Sequence, residues 1–318
     1  MLTKNLFSGP FRIALLSCFM GVFIFSSCKK DDDVTPTPPN TITDIVSKNN
    51  DFTILKAAVI KADLATTLSG PGPFTVFAPN DAAFTASGIN ASAISQLPAD
   101  ALKNILLYHT IPSKIMAADV PAGPNAPVVT ANGETVYVTK NGNGVFINGT
   151  KVATADVAAD NGVIHIINGV LFPPTGNIVE VAQSDTTFSY LVAAVLRASQ
   201  GATNVADILS GAGPFTVFAP TNNAFRGAGF ATIDDINAAP PAVLTGILTY
   251  HVIGARIFSS DLVEGAMPAT VNGGTVKIGL NPSASVKGNS NTSASNIIVA
   301  NIMATNGVIN AVDQVLLP

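Results

Sequence analysis

Hydrophobic side chains recur at helical spacing in two segments of the first half of the chain, and a capping signal predicts a third helix before them. Thr43 or Asp44 can cap a short first helix, and residues 52–64 carry apolar side chains three and four positions apart. A further helix is expected to open at Pro98, with an apolar face formed by Leu102, Ile105, Leu106 and His109. The pattern therefore predicts several short helices, each with one buried face.

Strand-like segments lie between these helices. Residues 74–78 form a short apolar run between Gly-Pro and Pro, residues 134–139 alternate in polarity, and residues 163–167 indicate a buried strand. Asn-Gly pairs begin at positions 132, 141, 148, 161, 168 and 272. We expect these pairs to supply the positive φ angles of tight hairpin turns.

The same pattern of segments occurs twice. The sequence GPFTVFAP is identical at 72–79 and 213–220, NILLYHTIP (104–112) matches GILTYHVIG (246–254), and ADNGVIHIINGVLFP (159–173) matches ATNGVINAVDQVLLP (304–318). The offset grows slowly, from 141 to 145 residues, and is too long for a solenoid repeat. We therefore predict one duplicated domain, at 41–174 and 176–318.

Residues 1–27 are predicted to be a lipoprotein signal peptide. Lys4 and Arg12 precede an apolar run at 13–25. This run is too short to span a bilayer, which requires a helix of about 20 residues, but it fits the core of a signal peptide. The residues FSSC at 25–28 resemble a bacterial lipobox, with Phe25 in place of the usual aliphatic residue. Cys28 is therefore expected to carry lipid. The alternative is an ordinary secretory signal with an incidental Cys28.

Residues 28–40 are predicted to be a charged and Pro-rich spacer. The charged run directly after Cys28 resembles a surface-export signal of some Gram-negative lipoproteins, and it consists of Lys29, Lys30, Asp31, Asp32 and Asp33. The alternative is a merely solvated spacer. Residues 34–39 predict a stiff, extended segment. We expect an outer-membrane lipoprotein facing the cell exterior, with a periplasmic-facing or secreted protein as the alternative.

Composition narrows the function classes. Charged residues make up 11% of the chain, against about 25% in average soluble proteins, and hydrophobic residues make up 47%. This excludes a charge-driven disordered chain. Lys and Arg (16) are fewer than Asp and Glu (20), which argues against nucleic acid as a partner. If Cys18 leaves with the signal and Cys28 is lipidated, packing and not a disulfide must stabilise the domains.

The repeated blocks resemble the two signature blocks and the central Tyr-His motif of fasciclin-like (FAS1) domains. The resemblance covers nearly the whole chain after residue 40. It implies an α+β fold with two tandem domains, each a β-wedge of about seven strands with several helices packed against it. It also implies extracellular adhesion or matrix binding without a common enzymatic activity.

Candidate binding residues follow from this resemblance, because the Tyr-His pair has been linked to adhesive recognition in the family. The carried-over pairs are Tyr108 with His109 and Tyr250 with His251. The helical spacing predicts that both histidines are buried and bonded to backbone, whereas the tyrosines, one step round the helix, are expected to be exposed.

The remaining polar motifs are weak. His165 corresponds to Asn310 in the other repeat. Because only one repeat has a histidine here, we expect the polar side chain to form hydrogen bonds inside the fold. Asp185-Thr186-Thr187 resembles a short O-glycosylation acceptor at Thr186. The sequence contains no HExxH, CxxC, GxSxG or Walker motif and no metal-ligand spacing, so we expect no metal and no cofactor.

The leading hypothesis is therefore a lipid-anchored surface protein that binds protein or polysaccharide in an extracellular or biofilm matrix. A small-molecule or glycan-fragment binder serving an uptake system is the alternative, for which a pocket between helix and sheet or at the domain junction is expected. A hydrolase is a third, minor hypothesis. The sequence leaves the oligomeric state open.

Overall fold

The computed structural model of the protein describes residues 40–318, which contain two similar sets of helices and strands. The first set has helices α1 (Ile42–Lys48), α2 (Thr53–Lys61), α3 (Ala65–Ser69), α4 (Asp81–Ala86), α5 (Ala91–Gln96) and α6 (Ala99–Tyr108). Its strands are β1 (Phe74–Pro79), β2 (Thr110–Ile111), β3 (Gly123–Val129), β4 (Thr135–Asn141), β5 (Gly144–Ile147), β6 (Thr150–Ala159) and β7 (Gly162–Ile167).

The second set repeats this order. Its helices are α7 (Ile178–Ser184), α8 (Ser189–Ala198), α9 (Val205–Ser210), α10 (Asn222–Gly227), α11 (Ile233–Ala238) and α12 (Pro241–Tyr250). Its strands are β8 (Phe215–Pro220), β9 (Val252–Ile253), β10 (Lys277–Gly279), β11 (Ser285–Lys287), β12 (Ser295–Ala304) and β13 (Gly307–Val312). Within residues 40–318, no helix combines the length and the hydropathy that crossing a bilayer requires.

Each repeat is built on one curled sheet. The seven strands of the first repeat are ordered β2-β1-β7-β6-β5-β4-β3, and the six strands of the second are ordered β10-β11-β12-β13-β8-β9. In both, the apolar signature strand runs parallel to the last strand, β1 beside β7 and β8 beside β13. The counterpart of the β3–β4 pairing is reduced to a single bridge between Ala269 and Thr275. The predicted α+β fold with about seven strands per domain is confirmed.

Two apolar clusters lie in each repeat. In the first, the helices pack on the sheet through a cluster that includes Leu55, Leu106 and Ile164. A second cluster, with Phe77 and Val136, fills the curled part of the sheet. The first repeat thus consists of a helical layer and a β-wedge, and strands β1 and β7 contribute side chains to both.

The first helix starts differently from the sequence expectation. Thr41 is its N-cap: the Thr41 hydroxyl accepts from the Asp44 backbone N–H, and the Asp44 carboxylate accepts from the Thr41 backbone N–H. The same reciprocal arrangement links Asn177 and Glu180 at α7. The assignment of the cap to Thr43 or Asp44 was wrong, because Asp44 serves as the third residue of a capping box.

The Asn-Gly pairs have more than one role. Asn148 and Gly149 both have positive φ angles, +48° and +78°, and form the two-residue turn between β5 and β6, as predicted. Asn161 also lies in a tight turn, between β6 and β7, as predicted, but its φ is not positive. Its side chain accepts from the Ile42 N–H at 3.0 Å and donates to the carbonyls of Leu68 and Gly70, both at 2.8 Å.

Asn306 repeats these bonds in the second domain. It accepts from Ile178 N–H at 2.9 Å and donates to the carbonyls of Leu209 and Gly211 at 2.7 Å each. The glycine after each asparagine is needed for close approach, since a Cβ on Gly162 or Gly307 would overlap the carbonyl oxygen of the residue opposite in the neighbouring strand. These Asn-Gly pairs therefore tie the first helix to the parallel strand pair.

Arg256 connects the two repeats. The side chain is 8% exposed, its Cζ lies 4.2 Å from the centre of the Tyr137 ring, and its Nη1 donates to the Gly307 carbonyl at 2.6 Å. The backbone carbonyl of Arg256 accepts from the Asn125 amide at 2.8 Å. The bond to Gly307 fixes the Arg256 side chain within the second repeat, while the contact with the Tyr137 ring and the bond from Asn125 link the two repeats.

Candidate binding surfaces

The tyrosines of the two Tyr-His pairs are fully buried. Tyr108 and Tyr250 have 0% exposure, so the prediction that they are exposed was wrong. Each is the last residue of its helix and points into the β-wedge. The Tyr108 hydroxyl donates to the Thr135 carbonyl at 3.1 Å and accepts from the Asn148 amide at 2.9 Å. Desolvation by burial accordingly raises the pKa of Tyr108 to about 12, although the Asn148 bond opposes this shift.

Tyr250 makes the corresponding bonds. Its hydroxyl donates to the Thr275 carbonyl at 2.5 Å and accepts from the Asn289 N–H at 3.0 Å. Thr135 and Thr275 occupy equivalent places at the start of the wedge. The tyrosines therefore hold the wedge strands against the helix end, which removes them from any outer binding surface.

The histidines are buried and bonded to backbone, as predicted. His109 follows the last turn of α6, and its Nε2 accepts from the Leu171 N–H at 2.9 Å. Nδ1 therefore carries the proton and donates to the Ile105 carbonyl at 2.8 Å. His251 repeats this with Leu316 N–H at 2.8 Å and Ile247 carbonyl at 2.8 Å. Each histidine thus joins the end of a helix to the last segment of its own repeat.

Burial also fixes the charge state of these histidines. Desolvation lowers the pKa of both to about 4, and the backbone hydrogen bond to the helix only partly opposes the shift. Both rings are neutral at physiological pH, and both ring nitrogens are occupied. The binding role carried over from the family stays a prediction, and these side chains have no free polar atom to offer a partner.

His165 and Asn310 have equivalent positions, and each side chain accepts from a backbone N–H of the neighbouring strand. His165 is 5% exposed; its Nδ1 accepts from Asp156 N–H at 3.2 Å and its Nε2 bonds the Ile115 carbonyl at 2.9 Å. Asn310 accepts from Asn301 N–H at 2.9 Å. The prediction that His165 pairs inside the fold is confirmed.

Thr186 lies on the surface, in a short 3-10 helix at Thr186–Phe188. Asp185 accepts from the Thr187 N–H at 2.8 Å, so this acidic residue also caps the turn. O-glycosylation of Thr186 stays a prediction. The proposed lipid site Cys28 and the charged run at 29–33 lie outside the described residues.

Catalytic geometry is lacking around the histidines. None of the three, all within residues 40–318, has a Ser or Thr hydroxyl as a hydrogen-bond partner. In the same part of the chain, no group of three or more His, Cys, Asp or Glu residues is placed to hold a metal ion.

An apolar groove recurs on the helical side of each repeat. We call these the first and second grooves. The first, with a cavity of about 50 Å³, is lined by residues of α1 and α2 and by His109. The second, with about 60 Å³, is lined by the matching residues of α7 and α8 and by His251. Each has an exposed aliphatic residue at the same position of its helix, Ile60 (63% exposed) and Leu196 (54% exposed).

The rims of the grooves differ in polarity. Thr43 and Lys56 border the first groove, and Val179 and Val192 take their places in the second. The second groove is therefore the more apolar. A pocket between helix and sheet is expected from the sequence under the small-molecule alternative, but the lining residues of the grooves were not predicted. Ile60 and Leu196 stand at matching positions of the segment repeated at 52–64 and 188–200.

Comparison with known proteins identifies the family. The Fasciclin domain sequence profile matches residues 50–173 and 186–318. Transforming growth factor-beta-induced protein ig-h3 of Sus scrofa is 29% identical over 257 residues, covering 79% of this chain and 35% of that protein. The chain thus spans about a third of the length of that relative. Protein sll1483 of Synechocystis is 43% identical over 136 residues, covering 42% of this chain and 74% of that protein.

A solved structure is also similar. The alignment with the FAS1 domain pair from the insect cell adhesion molecule Fasciclin I covers 87% of this chain and 96% of the Fasciclin I chain, with 21% sequence identity and a TM-score of 0.41. The family profile matches twice, in order, over most of the chain, and each match covers one set of elements apart from its first helix. The chain belongs to the Fasciclin domain family, with two tandem FAS1 domains.

Proposed function

We propose that the protein is a lipid-anchored cell-surface protein that binds extracellular or biofilm-matrix protein through its two grooves. The observation that carries this proposal is the repetition of one exposed apolar groove at the same place in both domains. Exposed apolar surface next to a groove is typical of protein interaction sites. The fully bonded histidines favour binding over catalysis.

Duplication adds strength to weak binding. Each groove is small, with a cavity of about 50–60 Å³, so a single groove offers little contact area. Two sites on one chain convert the second binding event into an intramolecular one, which raises the overall affinity by about 10²–10⁴-fold when both sites reach the partner. The tandem arrangement is therefore suited to a surface covered with repeated partners.

The anchor is part of the proposal. Cys28, once acylated, would hold the chain at the outer membrane, and residues 29–40 would place the first domain beyond the lipid headgroups. We infer export to the cell exterior from the charged run at 29–33.

Replacement of the lipidation site tests the anchor. Cys28→Ser is expected to shift the chain from the membrane pellet to the soluble fraction, because acyl chains supply the membrane affinity. Cys18→Ser is the matched control and should leave the chain in the pellet, since Cys18 lies in the signal. Fractionation with immunoblotting measures both, together with adhesion of intact cells to matrix protein. Membrane association that persists in Cys28→Ser would refute the lipid anchor.

A further inference from the structure

A cavity of about 260 Å³ lies inside the curled sheet of the first repeat. All seven strands contribute to its wall, and the loop at 112–122 closes one side. The strand residues facing it are mostly aliphatic, among them Val128 on β3, Val138 on β4 and Val152 on β6. This cavity is separate from the grooves, which lie on the helical side of the sheet.

The cavity reaches solvent and is apolar. Val120, Val128 and Val152 are only half-buried, and the exposed residues Lys114 and Asp119 line the cavity as well. The buried polar groups in its wall are already paired. The Thr75 hydroxyl donates to the Ser113 carbonyl at 2.7 Å and accepts from the Ile115 N–H at 2.9 Å. His165 is paired as described above, so the wall offers few partners to water.

The loop that covers the cavity is fixed in place. Lys140 Nζ donates to the carbonyls of Ala117 and Val120 at 2.9 and 3.2 Å. The Asp156 carboxylate accepts from the Ala117 N–H at 2.9 Å. These bonds keep the loop from collapsing onto the valines. The cavity is therefore preformed, which lowers the entropic cost of binding.

The second repeat fills part of the corresponding space. Leu262 stands where the first repeat has Val120, and it is 9% exposed whereas Val120 is half-buried. Since the second repeat folds with the larger side chain at this position, the smaller Val120 is not a requirement of the fold. The open volume is a feature of the first repeat.

We propose that this cavity binds an uncharged apolar molecule of about ten carbon atoms, such as an acyl chain or a fused aromatic ring. An apolar cavity of about 150 Å³ in another protein stays dry and binds benzene, so the larger volume here suits a proportionally larger ligand. Lys114 and Asp119 place one positive and one negative charge in the lining. The two charges offset each other, so the lining selects neither an anionic nor a cationic ligand. This ligand site is independent of the proposed surface adhesion, which uses the grooves.

Titration of the unlipidated mature chain, residues 28–318, with 1-decanol and with naphthalene tests the site. Isothermal calorimetry should show saturable binding at one site per chain. Val128 and its neighbour Val129 provide matched variants: Val128 lines the cavity, whereas Val129 on the opposite face of β3 is 59% exposed. Val128→Phe should weaken binding by about tenfold or more, and Val129→Phe should change it by less than about twofold.

A second variant and a spectroscopic readout complete the test. If Val128→Phe does not fold, as judged by circular dichroism, Val120→Leu introduces the residue of the second repeat and should also weaken binding. Ligand should shift the NMR signals of the His165 ring and leave those of His251 in place. The proposal is overturned if neither probe binds saturably, if Val128→Phe binds as tightly as Val129→Phe, or if His251 shifts and His165 does not.

Discussion

Acidification from pH 7 to pH 4 is expected to destabilise each domain by about 3 kcal/mol, because one pKa unit corresponds to about 1.4 kcal/mol. The pKa values of His109 and His251 are about 4 in the folded chain and 6.5 as the ordinary value. Between these values the unfolded chain binds more protons than the folded chain, so the free energy of unfolding decreases as the pH is lowered. The stabilising contribution is complete above pH 6.5 and is lost as the pH approaches 4.

Urea unfolding followed by far-UV circular dichroism between pH 7 and pH 4 measures this effect. Replacement by Gln keeps a donor and an acceptor but removes the titration. His109→Gln, His251→Gln and the double variant should therefore show progressively flatter pH dependence, whatever their stability at pH 7. The pKa of Asp44 is lowered by its bonds with Thr41, so that carboxylate loses its contribution only below about pH 4. An unchanged slope in the double variant would contradict the assignment to the histidines.

His251→Ala is expected to lower the free energy of unfolding of the second domain by about 3–5 kcal/mol. The substitution leaves the Leu316 N–H and the Ile247 carbonyl without their partner in the core, where His251 is 1% exposed. It also leaves the volume of the ring unfilled. Urea unfolding at pH 7 measures the loss.

The variant also separates a structural role from a binding role. Where the His251→Ala chain is still folded, its affinity for matrix protein should fall less than that of Leu196→Asp, because His251 is buried at the base of the second groove and has no polar atom available to a partner. His251→Gln should recover part of the stability. Unchanged stability together with lost binding would show that the histidine contacts the partner directly.

Much of the fold follows from the sequence because the repeated blocks form its centre. The identical GPFTVFAP segments become β1 and β8, and the NGVI segments become the parallel strands beside them. The histidine burial also follows, since an apolar helical face continues through His109. The parallel pairing of β1 with β7, and of β8 with β13, cannot be predicted from local periodicity, because it depends on how the whole chain is connected.

The wrong prediction that Tyr108 and Tyr250 are exposed has a physical cause. Helical spacing places Tyr108 beside the face that contains His109 and the leucines, which would expose it on a helix packed on one side only. Tyr108 and His109 lie where α6 ends and the chain enters β2. A second apolar layer, the β-wedge, therefore covers the side of the helix end on which Tyr108 lies. Asn161 lies in the turn between β6 and β7, as expected, but its side-chain bonds join residues 91–119 positions away, which no local pattern predicts.

The grooves and the cavity depend on packing and not on sequence pattern. Ile60 belongs to the predicted apolar face of 52–64, yet it is 63% exposed and lines the first groove. Val120 and Val128 are ordinary core-type residues in the sequence. Their incomplete burial follows from the loop at 112–122, whose bonds to Lys140 hold it away from the strands.

Adhesion of whole cells that carry substituted grooves tests the central claim most directly. A strain lacking the protein is complemented with the unaltered chain, with Ile60→Asp, with Leu196→Asp, or with both, and attachment to immobilised matrix protein is counted. Val263→Asp is the control, since Val263 is 64% exposed and lies outside both grooves. We expect a partial loss for each single variant, near-complete loss for the double variant and no loss for the control. Equal attachment by cells with the double variant and cells with the unaltered chain, at equal surface amounts, would contradict the account.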